Sequence, residues 1–286
     1  MRRRDVISAG LGAGLSFGQT VSVVPDPGSR TPPRGGARGN VPVRKVKTTP
    51  LFKSPQGYPN ALRAVPEGFW IAEQLSGNSG SSNDVCLVDK TGKLLKTLKT
   101  DSRNTSGMGY GGGYLWVAAN APPEGIFQID LNGKLVRHMQ IPLGDPKNGG
   151  GCHGCMYHDG KIYIGALRLN GILRVDAQTW APEFFISTAR LFQRMHELVW
   201  DNGSIWMVTG TSLGPGIEND RAGLARFDAT TGQLLETAEF GPDQSDPHGL
   251  TIDANGVFYS CDAGIHPGWP DNRSATHGYV FRIDFV

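Results

Sequence analysis

From residue 43 onward the chain alternates short apolar runs with tight polar turns. None of these runs reaches the 18 or so apolar residues that a spanning helix needs. Apolar stretches flank Gly-containing turns such as His158-Asp159-Gly160 and Asp201-Asn202-Gly203. Strand, tight turn, strand is the hairpin signature. The pattern repeats. Five anchor residues, Asn60, Ser106, His153, His196 and His248, are spaced by 46, 47, 43 and 52 residues. Two positions after each anchor stands Leu62, Met108, Cys155, Leu198 or Leu250, and ten positions after it Trp70, Trp116, Tyr163, Trp206 or Phe258.

A second hairpin follows each first one. Its leading strand ends in Asp every time: VCLVD (85–89), IFQID (126–130), ILRVD (172–176), LARFD (224–228) and VFRID (280–284). Each unit therefore predicts four antiparallel strands in 40–50 residues, which is the pattern of a β-propeller blade. The fifth unit has its third strand at 280–284, and residues 43–53 (VRKVKTTPLFK) precede the first anchor and belong to no other unit. That segment is expected to supply the missing outer strand and hide the open sheet edges. The expected fold is all-β, a five-bladed propeller over 43–286 closed by N- and C-terminal strands, with a six-bladed ring as the alternative.

Composition adds three points. Forty glycines in 286 residues, without a G-x-y period, fit many tight turns. Residues 1–48 hold nine Lys/Arg against two Asp/Glu, whereas 49–286 hold 19 against 24. The propeller body is thus mildly acidic, which argues against a nucleic-acid partner. The basic start RRRDVISAGLGAGLSF (2–17) reads as an export signal over 1–24, and Arg3-Arg4-Asp5-Val6-Ile7 resembles a twin-arginine signal. Residues 25–42 read as a Pro/Gly/Arg linker. A periplasmic or secreted protein follows, with no membrane association in its mature form. It is expected to be a monomer acting on a small-molecule substrate.

In a propeller the innermost strands line a central channel, and each anchor starts such a strand. The anchors are therefore expected to ring one channel mouth, below the long segments 210–223 and 262–277 that could roof a pocket. Three consecutive units present His at the anchor, and the chain has only seven His. Neutral imidazoles with an open fourth position make a catalytic metal arrangement. His153, His196 and His248 are the expected ligands of one divalent transition metal (Zn, Fe, Mn, Cu or Ni). A metal-free polar pocket, or a purely structural ring of polar groups, uses the same residues. Glu73, at the end of a second strand on the same mouth, is the candidate general base, with a solvated strand end as its plainer explanation. Asn60 and Ser106 are candidate substrate-binding residues, or turn caps. Alternation places Glu197 on the opposite strand face from His196, in a structural salt bridge. Cys152 and Cys155 form a lone C-x-x-C, read as small wall residues or a local disulfide. Cys86 and Cys261 are expected to be buried.

The unit P-H-G-L-x-x-D-x-x-G-x-x-Y at 247–259 resembles repeats of the gluconolactonase/senescence-marker, virginiamycin B lyase-like and NHL-repeat propellers. The resemblance covers 43–286 and implies the fold more firmly than an activity. In the gluconolactonase group it implies a divalent metal at the channel mouth on Glu, Asn and Asp. Here His153, His196 and His248 stand at the anchors, which favours a transition metal over calcium. The lyase-like proteins use a His and a metal to open a cyclic ester by elimination, a place His248 can hold. The expected activity is metal-dependent hydrolysis of a small ester or lactone. There Glu73 and His248 take part in catalysis and Asn60 and Ser106 bind substrate. A lyase on the same site is the alternative, and a non-catalytic binding or scaffold propeller is the third reading.

Overall fold

The computed structural model describes residues 22–24, 41–73, 84–143, 151–166, 169, 171–188, 195–210, 222–241, 246–263 and 276–286. Among them are 21 strands and no α-helix, and no helix long and apolar enough to cross a membrane. The chain is all-β and of propeller type.

The strands form up-and-down meanders. The first comprises β3 (Pro59–Val65), β4 (Gly68–Glu73), β5 (Asp84–Asp89) and β6 (Leu94–Lys99). The second comprises β7 (Thr105–Gly111), β8 (Tyr114–Ala119), β9 (Gly125–Asp130) and β10 (Leu135–Met139). The third runs through β11 (Cys152–His158), β12 (Lys161–Ala166), β13 (Gly171–Asp176) and β14 (Pro182–Ser187). A short strand β1 (Ser22–Val24), within the stretch expected to be an export signal, pairs in parallel with β14.

The remaining strands join into one eight-stranded sheet. The fourth meander is β15 (Met195–Asp201), β16 (Ser204–Thr209), β17 (Gly223–Asp228) and β18 (Leu234–Glu239). The fifth is β19 (Pro247–Ile252), β20 (Phe258–Asp262) and β21 (Tyr279–Phe285). The fifth is completed by β2 (Val43–Lys53), which pairs antiparallel with β21 from Val46 to Lys53. The start of β2 also pairs in parallel with the outer strand β18 over Val43–Lys45. The segment before the first anchor thus supplies the outer strand of the last unit and also ties it to the fourth.

The apolar core lies between neighbouring meanders. Trp70 and Leu98 of the first pack with Met108 and Phe127 of the second. Trp116 packs with Cys155 and Ile164, Tyr163 with Leu198 and Met207, and Trp206 with Leu250 and Phe281. Leu62, Phe69 and Ile71 pack with Cys261 and Val280, bringing the fifth meander onto the first. The inner strands neighbour one another in the order β3, β7, β11, β15, β19 and back to β3.

In the first four units the recurrent Asp that ends the third strand is a turn cap, whereas Asp284 of the fifth accepts from the Arg282 side chain. Asp130 Oδ1 accepts from Asn132 N and Lys134 N at 2.8 and 2.9 Å, and Asp89, Asp176 and Asp228 do the same in their units. These backbone and hydroxyl donors hold the four carboxyls below the usual carboxylate range.

Candidate functional site

Every inner strand carries an extra residue at its anchor. In β3 Pro59 pairs with Glu73 and Ala61 with Ala72, so Asn60 is the bulged residue. Ser106, His153 and His248 are bulged in the same way in β7, β11 and β19. In β15 the bulge falls between Met195 and Leu198 and takes in both His196 and Glu197. A bulge breaks the two-residue alternation and re-aims side chains. The anchor pattern in the sequence is therefore the pattern of these bulges.

The bulges bring the three imidazoles together. His153 and His196 stack with ring centroids 4.9 Å apart and planes at 10°, and His196 meets His248 at 3.9 Å. His196, His248 and Asp246 form a buried group whose ligand atoms all lie within 4.8 Å of one another. His248 Nδ1 lies 2.8 Å from the carbonyl oxygen of Asp246. A carbonyl only accepts, so Nδ1 carries the proton and Nε2 keeps its lone pair. His153 Nε2 lies 2.6 Å from Asn120 Nδ2. The amide nitrogen donates, which occupies the Nε2 lone pair and places the proton on Nδ1.

The other candidates are placed differently. Asn60 Nδ2 donates to Thr105 O at 2.5 Å, and Ser106 Oγ to Cys152 O at 2.9 Å. Each thus clasps the residue just before the next anchor. Glu73 is fully buried and accepts from Ser54 Oγ and from the backbone N–H groups of Gln56 and Tyr58 at 3.1–3.2 Å. It pins the 54–58 segment and is not a solvated strand end. The cysteines are all free and buried, so Cys152 and Cys155 are wall residues. Burial pushes both thiols far up. Most of the long segments expected over the mouth, 211–221 and 264–275, lies outside the described residues.

Below the imidazoles the channel is plugged by charge. Arg63 and Glu197 form a buried ion pair at 3.0 Å. Arg63 also donates to the carbonyls of Cys155, Leu198 and Leu250 at 2.5–2.8 Å. Glu197 accepts from Met108 N and Cys155 N at 2.8 and 2.9 Å. The pair thereby reaches all five inner strands and turns the mouth into a closed-ended cup. Burial pushes the Glu197 carboxyl up to about 7, against the pull of Arg63 and the N–H donors. The salt bridge is as expected, but the strand face is not. Alternation points Glu197 away from the channel, and the bulge at 196–197 turns it inward.

Sequence reasoning missed Asp246, Asn120 and Arg63. Asp246 stands two residues before His248 in D-P-H-G, which reads as a strand start. Arg63 is a lone charge in an otherwise apolar strand, the visible sign of a buried partner.

No family model matches the sequence, and no curated protein does. Solved structures do resemble the fold. The glutaminyl cyclase of Myxococcus xanthus superposes with a TM-score of 0.59 at 11% identity, covering 86% of this chain and 98% of that one. Hydrazine synthase of Kuenenia stuttgartiensis gives a TM-score of 0.47 at 15% identity, covering 74% of this chain and 57% of that one. Virginiamycin B lyase of Staphylococcus aureus gives 0.44 at 16% identity, covering 82% of this chain and 69% of that one.

Proposed function

We propose that the chain is an exported, five-bladed propeller enzyme that hydrolyses a small ester or lactone at its channel mouth. The reading is supported chiefly by the buried group of His196, Asp246 and His248, with ligand atoms within 4.8 Å of one another. Two imidazoles and a carboxylate in mutual reach are the donor set of a divalent transition metal such as Zn or Fe. Asp246 therefore replaces His153 in the ligand set. Bound there, the metal supplies a Lewis acid that polarises a carbonyl and acidifies water. His248 offers its Nε2 lone pair because the Asp246 carbonyl holds the proton on Nδ1. His153, partly buried, stacks on His196 and walls the cup, its Nε2 held by Asn120 and its Nδ1 carrying the proton. Asn60 and Ser106 hold the rim of the cup in register. The Arg63–Glu197 plug closes its floor and keeps water from passing through the channel.

The test is metal content of the purified protein beside His196→Ala and Asp246→Asn, followed by a screen of esters, lactones and a glutaminyl substrate. The glutaminyl substrate is included because of the cyclase that shares the fold. About one transition-metal ion per chain, lost in both variants, is expected. A hydroxy-acid product supports hydrolysis, and an unsaturated product absorbing in the ultraviolet identifies a lyase instead. Absence of metal in all samples, even after loading with Zn or Fe, overturns the metalloenzyme and leaves a ligand-binding propeller.

A further inference from the structure

The repeat places a large side chain four residues after each anchor, except once. The residues there are Tyr110, Tyr157, Trp200 and Ile252 in the second to fifth units, and Ala64 in the first. In the third to fifth units this side chain lies at the junction with the preceding unit, on an aromatic of that unit's second strand, whereas Tyr110 is exposed. Tyr157 stacks on Trp116, with ring centroids 6.0 Å apart and planes at 19°. Trp200 lies on Tyr163 at 5.9 Å, and Ile252 packs in the cluster of Trp206. The strand register identifies the corresponding aromatic of the fifth unit. Trp70, Trp116, Tyr163 and Trp206 pair with Arg63, Gly109, Met156 and Val199, each three residues after its anchor. In the fifth unit Thr251 holds that register and pairs with Tyr259, so the equivalent aromatic is Tyr259 and not Phe258.

Tyr259 therefore faces Ala64 where Trp116, Tyr163 and Trp206 face a large side chain. A cavity of about 420 Å³ opens at this place, and Ala64, Phe69 and Tyr259 are among its lining residues. That volume falls within the range of small-ligand sites. Phe69 meets Tyr259 edge to face at 5.1 Å, giving the slot a second aromatic wall. Its rim is charged. Lys90, Arg282 and Asp253 line it. Arg282 is paired with Asp284 at 2.6 Å. The Asp253 carboxylate is occupied by Asn255 N, Val257 N and the Tyr259 hydroxyl at 2.9–3.2 Å. Arg282 is neutralised by Asp284 and Asp253 keeps its charge, which leaves Lys90 as the rim cation able to meet an anion. Ala64 lies four residues along β3 from Asn60, about 13 Å from the histidine mouth and toward the other end of the channel.

We infer that this slot is a second binding site, for a small aromatic carboxylate. The ring takes the place left by the missing side chain at Ala64, against Tyr259, and the carboxylate meets Lys90. The inference is independent of the proposed reaction at the histidine cup.

The experiment titrates the full chain with 4-hydroxyphenylacetate and with its neutral analogue 4-hydroxyphenylethanol, using saturation-transfer NMR. The acid is expected to bind saturably with a Kd of about 1 mM or tighter, and the neutral analogue about tenfold more weakly. Ala64→Trp fills the slot, so it should abolish binding of the acid and raise Tm. Lys90→Glu reverses an exposed charge and should weaken binding about tenfold. His196→Ala should bind the acid as the wild type does. Absence of saturable binding overturns the inference, as does retained binding in a folded Ala64→Trp. Equal binding of acid and neutral analogue, or loss of binding in His196→Ala, also overturns it. Where Ala64→Trp does not fold, Lys90→Glu decides: unchanged affinity for the acid refutes the site.

Discussion

Arg63 and Glu197 show how far a single side chain can act in a ring of strands. Each is buried, so removing one partner leaves an uncompensated charge among backbone groups from every unit. Glu197→Gln puts an amide N–H against Arg63 and the donors of Met108 and Cys155, and should cost about 3–5 kcal/mol. The pH dependence has a definite sign. The folded protein holds the carboxyl near 7, above the ordinary glutamate value of 4.5. It therefore keeps a proton there that the unfolded chain has released. That contribution is full below about 4.5 and is lost as pH rises through about 7. Urea unfolding of wild type and Glu197→Gln should give a stability difference that shrinks between pH 4.5 and 8. A difference constant across that range would show that Glu197 does not titrate there. The sequence shows Glu197 beside His196 and foretells an ion pair. It cannot show the partner, because Arg63 lies 134 residues away and meets it only when the ring closes. The imidazoles differ in this respect. Their repeat position was legible, and the bulges gather them, while Asp246 needed the fold to bring its carboxylate to His196.

At the scale of the strand, the hairpins, their turns and the recurrent Asp were legible because they depend on local chemistry. Bulges were not, since an extra residue leaves no mark in composition. One consequence is the misassigned aromatic of the fifth unit, where spacing favours Phe258 and register selects Tyr259. Bulged strands also crowd the channel wall, and glycine there answers to space rather than to backbone angle. A Cβ on Gly107 would lie 2.7 Å from Cys155 N, on the neighbouring inner strand. Backbone cannot swing aside as a side chain can. Gly107→Ala should therefore destabilise the protein by about 1–3 kcal/mol in urea unfolding. Wild-type stability in Gly107→Ala would mean that the inner strands are less tightly packed than this distance indicates.

At the scale of the molecule, stability depends on closure. Units that pack only on their neighbours bury their faces when the last meets the first, and β2 makes the final seam. It pairs with β21 along one edge and touches β18 at its start, so it covers two strands that would otherwise be open. Its buried side chain is Phe52, which lies 5.9 Å from Phe69 of the first unit and packs in the cluster joining the fifth to the first. One strand thus links three units, of which only its place as the outer strand of the last unit was readable from the leftover segment 43–53. Removal of residues 1–40 takes away the three-residue pairing of β1 with β14 and leaves β2 in place, so it should leave Tm nearly unchanged. Removal of 1–53 should abolish cooperative unfolding and produce aggregation through the bared edges of β18 and β21. Phe52→Ala lies between these limits and should cost about 3–5 kcal/mol. Thermal melts with light scattering separate the cases. If the 54–286 chain melted cooperatively without aggregation, the ring would hold by its inner strands alone, and β2 would be a cover for the edges instead of the seam.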